Sequence, residues 1–175
     1  MNTPTANEYP QDNDINLVAL WTSVDKVRWA AGIVSGAIAG AIAMAVGGVI
    51  SVSHGLEFIF PVKLMGTVLL GNTATAYGNS AGFVAGVVVM GFLSMLWGFV
   101  YGHFVRSNSL GALLGMGFTW SAFSWIFIWN LFLHSVKAIS ASEVPSTAAA
   151  AVCLGYGFGM AVIAIVDPIF RGGKH

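Results

Sequence analysis

The sequence predicts an all-α integral membrane protein, a four-helix bundle crossing the bilayer four times. Three observations carry this. Of the 175 residues, 57% are hydrophobic and only 8% are charged, against about 25% charged in an ordinary soluble domain. The mean hydropathy is +0.80. The few charges bracket long uncharged intervals, the first of which, Trp29–Ser53, lies between Arg28 and Glu57. A charge at the bilayer centre costs roughly 2.5–3.5 kcal/mol on insertion scales, so such intervals mark the crossings. The 7 Lys and Arg are scattered along the chain and form no basic patch, so no nucleic-acid partner is expected.

A span needs about 20 apolar residues. The uncharged intervals place spans at about 29–52, 81–105, 110–133 and 146–169, which together make a transmembrane domain over 29–170. The interval from Lys63 to Arg106 is too long for one helix. It is broken by the small, polar stretch Gly71-Asn72-Thr73-Ala74-Thr75-Ala76-Tyr77-Gly78-Asn79-Ser80. Before that loop, Pro61 suits a first helical turn, where its missing N–H costs nothing. Val62, Met65, Val68 and Leu69 then share a face, which predicts a short surface helix between spans 1 and 2.

Residues 1–28 divide into a polar tail and an amphipathic interfacial helix. From Asp14 onward, Leu17, Leu20, Trp21, Val24 and Val27 fall on one helical face. The first span is expected to be retained rather than cleaved as a signal, because its apolar run continues to Val52. Residues 171–175 form a short tail. Orientation follows from the basic residues: Lys26, Arg28, Arg106, Arg171 and Lys174 share one side, and only Lys63 and Lys137 lie on the other. Both termini are therefore expected on the cytoplasmic side, in a bacterial inner membrane.

Twenty-two residues are Gly. Gly32, Gly36, Gly40 and Gly47 line one slowly drifting face of the first span, a groove without side chains. Gly82–Gly86 and Gly98–Gly102 repeat the spacing in the second span, and Gly111–Gly115 in the third. Such faces let another helix approach closely and gain dispersion contacts that lipid tails cannot match. They are expected to pack within the bundle, with a partner subunit or a second copy as the alternative. The aromatic third span, with Trp120, Trp125 and Trp129 among its residues, is expected to contact lipid and form an interfacial belt.

Candidate chemistry is sparse. Cys153 is the only cysteine, so no intrachain disulfide or CxxC motif exists. His54 and His134 fall at the outer ends of the first and third spans and are the one pair that could ligate a haem. Their place at helix ends favours ordinary interfacial hydrogen bonds, and neither a cofactor nor a metal is expected. Asp167 and Arg171, four residues apart, are expected to form an interfacial ion pair. With no acid, Lys or Arg near a span centre and no serine–histidine–acid set at one level, nothing suggests an enzyme.

The first span's Gly36-Ala37-Ile38-Ala39-Gly40, the segment Pro61–Gly71 and the three further Gly-rich spans resemble small four-span bacterial membrane proteins of the YagU-like type. The resemblance covers about residues 30–170 and implies architecture only. The expected function is a non-catalytic accessory subunit of a larger membrane complex, respiratory or otherwise energy-transducing. Its expected partners are lipid, other membrane subunits or further copies of itself. A small channel for a neutral solute is the first alternative, with few polar groups on the second span to line it. A haem- or quinone-associated electron-transfer subunit is the second alternative.

The charge asymmetry makes a direct prediction. In a Cys153→Ser background, single cysteines in the loop between spans 2 and 3 should label from the cytoplasmic side, and cysteines within 53–80 from the opposite side. Outside-only labelling of the former would reverse the topology.

Overall fold

A computed structural model describes residues 27–107, 109–133, 135 and 144–170. The tail and amphipathic helix expected before residue 27, together with His134, Arg171 and the C-terminal tail, lie outside the described residues. Among these residues are four helices long and apolar enough to cross a membrane: α1 (Trp29–Ser53), α3 (Ser80–Phe104), α4 (Leu110–Phe132) and α5 (Ser146–Phe170). A shorter helix, α2 (Phe60–Leu70), precedes α3. The protein is a multi-pass, all-α membrane protein. Val49, Val84, Phe92, Phe118 and Ile165 are each more than half exposed, an outer surface suited to hydrocarbon rather than water.

Local chemistry sets the ends. Gly55, at φ 76°, turns the chain out of α1, and Gly71, at φ 61°, ends α2; both conformations are open to glycine and strained for other residues. Pro61 occupies the first turn of α2. Asn79 caps α3 by accepting a hydrogen bond from the Gly82 N–H at 3.2 Å, and its amide donates to Thr73 O at 2.7 Å. From Trp125 to Leu133 the third span widens into π-helical turns. There the Asn130 amide donates to Trp125 O, five residues back, at 3.0 Å.

The helices are arranged in the order α3, α1, α5, α4, with α1 and α5 at the centre and α2 laid against the first half of α3. Glycine makes these seams. Gly32 and Gly36 of α1 meet Gly98, Gly102 and the Ser94 backbone of α3, so closely that a Cβ on Gly36 would stand 2.9 Å from Gly98 Cα. Gly40 faces the Ser94 side chain, and Gly47 faces Pro61 and Val152. Gly82 and Gly86 receive α2 and its following turn, touching Ala74 and Val62, while Gly66 of α2 fits against both. On the other side, Gly159 packs on Ala39, Gly155 on Val46, and Gly117 of α4 on Gly157.

The expected glycine faces therefore separate into two groups. Those of the first and second spans lie within the bundle. Gly111 and Gly115 do not: a Cβ on Gly111 would meet only the nearby Ser109 hydroxyl, at 4.0 Å, and one on Gly115 would meet nothing within 4 Å. The short helix is more integrated than a helix resting on a membrane surface, since Lys63 through Thr67 are buried, with Gly66 seated on α3. The aromatics of the third span divide likewise. Phe118 faces outward, but Trp120 is buried, with its ring centroid 5.3 Å from Trp97 and 5.4 Å from Tyr101 of α3. Helices α3 and α4 thus meet through aromatic rings, where α1 and α3 meet backbone to backbone.

Replacing Gly36 with Leu should remove folded protein from the membrane. The substitution gains helix propensity of up to about 1 kcal/mol, yet overpacking a tight seam costs about 1–3 kcal/mol or more, and here the obstruction is backbone. The control Ile38→Leu, on a half-exposed position, should leave yield and thermal midpoint unchanged. Normal accumulation of the Gly36→Leu protein would refute the seam.

Candidate functional site: an apolar cavity between the spans

Two ion pairs, one buried and one partly exposed at its carboxylate, fix the bundle at its opposite ends. At one, Arg28 Nε lies 3.1 Å from Asp167 Oδ2, and Arg28 Nη1 donates to Ser107 O at 3.0 Å. The start of α1, the end of α5 and the loop after α3 are joined there. Asp167 was expected to pair with Arg171; the structure brings it to Arg28, from the other end of the chain, and Arg171 lies outside the described residues. Both Arg28 and Asp167 are buried.

At the other end, Lys63 of α2 has no solvent exposure. Its ammonium donates to Glu57 Oε2 and, at 3.0 Å, to Ala76 O, while Glu57 Oε1 accepts the Gly78 N–H at 3.1 Å. These bonds staple α2 to the loops on either side of it. The Lys63 hydrogen bond and then the Gly78 N–H stabilise the Glu57 carboxylate, holding its pKa below the usual glutamate range. Sequence reasoning used Lys63 only as an outer-side charge. The missed signal was a single cation inside an otherwise apolar helix, six residues after the nearest acid.

With α2 held in this way, the spans enclose a cavity of about 470 Å³. Its walls come from all five helices: Ala43, Met44 and Gly47 of α1; Pro61, Leu64 and Met65 of α2; Met90 and Leu93 of α3; Ile128 and Trp129 of α4; Ala149 and Val152 of α5. Small residues on α1 and α5 leave the space, and the aromatic contacts of Trp97 hold α3 and α4 apart below it. The mouth lies among His54, Leu56, Phe60 and Pro145. The volume falls within the range of about 300–1,000 Å³ typical of small-molecule sites, and the mainly apolar lining is also typical.

Polar residues line both ends of the cavity, Ser51 and His54 at the mouth and three hydroxyl residues at the inner end. Going inward, the last lining residue of each span is Ala43, Ser94, Ser124 or Tyr156, and three of these carry hydroxyls. Tyr156 OH donates to Ser94 O at 2.9 Å, across to α3. Trp97 Nε1 donates to Ser124 Oγ at 2.7 Å, joining α3 to α4. Ser94 Oγ is buried and has no hydrogen-bond partner. Some span hydroxyls close back onto their own helix, as Ser121 does to Gly117 O at 2.7 Å and Thr119 to Gly115 O at 3.1 Å. Ser94 and Ser35 do not.

No protein-family model fits this chain, and neither a curated protein nor a solved structure matches it significantly. The remaining candidates for chemistry stand apart. His54 is exposed at the rim of the cavity, with Nδ1 2.9 Å from Ile50 O and 3.2 Å from Ser53 Oγ. His134, the expected second haem ligand, lies outside the described residues. Among the described residues no group of three or more His, Cys, Asp or Glu stands close enough to hold a metal ion. Cys153 lies on the cavity wall.

The staple at Lys63 gives a prediction in two parts. Glu57→Gln strands a buried ammonium, whereas Lys63→Met replaces it with an apolar chain of similar length, so Glu57→Gln should lower the thermal midpoint more. Because folding depresses the Glu57 pKa, its contribution is complete above the ordinary glutamate value of about 4.3. It is lost only as pH falls through the lower folded value. The gap in thermal midpoint between the natural protein and Glu57→Gln should hold from pH 7 to about pH 5 and shrink below about pH 4.3. A gap that closes near neutrality would contradict this assignment.

Proposed function

We propose that the protein is a non-catalytic, guest-bearing component of the membrane, which carries an apolar molecule of lipid or isoprenoid character in the cavity between its spans. The cavity is the observation that supports this reading. It is large enough for a small-molecule guest, lined from all five helices, and mainly apolar, with polar groups at its two ends: Ser51 and His54 outside, Ser94, Ser124 and Tyr156 inside. Among the described residues, the one hydroxyl paired with the rim imidazole, Ser53 at 3.2 Å from His54 Nδ1, is exposed and does not line the cavity. That favours holding a molecule over transforming it.

An accessory place in a larger assembly belongs to the same proposal. Gly111 and Gly115 present an unfilled small-residue face beside the exposed Leu110, Leu114 and Phe118. A helix of another subunit, or of a second copy, could approach closely there. The proposed setting is a bacterial inner membrane, with both termini cytoplasmic.

Organic extraction of the protein purified from its own membranes tests the central part. A near-stoichiometric apolar compound should appear in the extract by mass spectrometry. It should be lost from Ala148→Trp, which fills the cavity, at unchanged protein yield. Identical extracts from the two proteins would refute the proposal.

A further inference from the structure

The cavity occupies the depth of one leaflet. Its innermost residues, Ala43, Ser94, Ser124 and Tyr156, each stand within three residues of the midpoint of their span. Its outermost, His54 and Pro145, stand at the ends of α1 and α5. From Ala43 to His54, and equally from Pro145 to Tyr156, the rise is about 16 Å. Half the hydrocarbon core of a bilayer is about 15 Å. The mouth therefore lies at the membrane interface and the floor at the midplane. The floor offers a guest no polar partner. Tyr156 OH gives its proton to Ser94 O, and Ser124 Oγ accepts the Trp97 N–H. Ser94 Oγ is sealed in the α1–α3 seam, against Gly40. Among the described residues, no Asp, Glu, Lys or Arg lines the cavity. A polar group carried to the floor would give up its water without replacement. At the mouth, beside the exposed His54, it keeps that water.

Resting on the cavity as a guest site, we infer that the guest is a single-tailed lipid of the fatty-acid or lysophospholipid class, bound with its tail down to the midplane and its polar end at the mouth beside His54. The tail then runs along Leu64, Met65, Leu93 and Val152. A lipid of the adjoining leaflet already has this division of length and polarity. It enters the cavity without changing the depth of its tail or the level of its head. One tail fits better than two. The walls are helices about 10 Å thick, so a second tail on the same head would descend outside them, although hydrocarbon chains in contact lie only about 4 Å apart.

Photolabelling of the full chain in lipid nanodiscs reads out this orientation. Two palmitic acids are used, one with a diazirine at the tail end and one with it beside the carboxyl, and labelled residues are mapped by mass spectrometry. The tail-end diazirine should label the floor, at Met90, Leu93 and Cys153, and the carboxyl-side one the mouth, at His54, Phe60 and Pro145. Ala148→Trp should abolish both patterns. Unlabelled palmitic acid and palmitoyl lysophosphatidylcholine should each compete with the tail-end probe, and the stronger identifies the head. Hexadecanedioic acid has the same length but a carboxyl at both ends. At equal content in the nanodisc it should compete at least about tenfold more weakly than palmitic acid. Equal competition by the diacid, a reversed map, or one map for both probes overturns this inference while the guest site stands. Labelling that misses the cavity altogether also overturns it; the organic extracts of the natural protein and Ala148→Trp then decide separately whether the guest site stands.

Discussion

The backbone contact between α1 and α3 is the constraint on which the rest of the structure depends. In a bilayer the lipid is as apolar as the side chains, so helices gain little from burying one another and must gain it from fit. Gly32 and Gly36 against Gly98 and Gly102 supply that fit along about one helical turn. With α3 so close on one side, the opposite side of α1 is left to α5, and Ala39, Ala43, Gly155 and Gly159 make that seam nearly as close. The outer helices are then attached through the inner ones: α4 through Gly117 and Gly157, α2 through Gly66 on the start of α3.

Close packing fixes where helices touch, but not how far their ends diverge. The two ion pairs do that. Arg28 with Asp167 closes one end of the α1–α5 seam, and Lys63 with Glu57 holds α2 as a wedge at the other. Buried charges of this kind add little net stability over apolar residues, and their use is in specifying one geometry. Here the geometry is asymmetric. The bundle is tight at the Arg28 end and splayed at the Lys63 end, and the splay is the cavity.

The spans were legible in the sequence because the cost of burying charge is large and local: Arg28, Lys63 and Arg106 mark boundaries without reference to anything distant. The existence of glycine seams was legible for the same reason, since fourfold spacing is a property of one helix. Which seams face inward was not. Gly111 and Gly115 have the same spacing as Gly32 and Gly36, yet α4 turns a different face, with Gly117 and Ser121, to α5. Asp167 shows the limit from another side. Its contact with Arg28 joins opposite ends of the described chain, and only the antiparallel run of α1 beside α5 makes it; the expected contact with Arg171 lies outside the described residues. The cavity had no sequence signature, because each of its walls is an ordinary apolar stretch. Ser94 looked like any span hydroxyl until its neighbours showed that its own helix does not use it.

The order α3, α1, α5, α4 divides the molecule into two hairpins, α1 with α3 and α4 with α5, each made of consecutive spans. Contacts within a hairpin join segments that emerge from the ribosome one after the other, so each can form while synthesis continues. The seam between the hairpins joins α1 to α5, and it closes only once α5 has been made. The cavity takes walls from both halves. It therefore forms only after both halves have been made, and the proposed guest would have to be present as the halves meet or enter afterwards by the mouth.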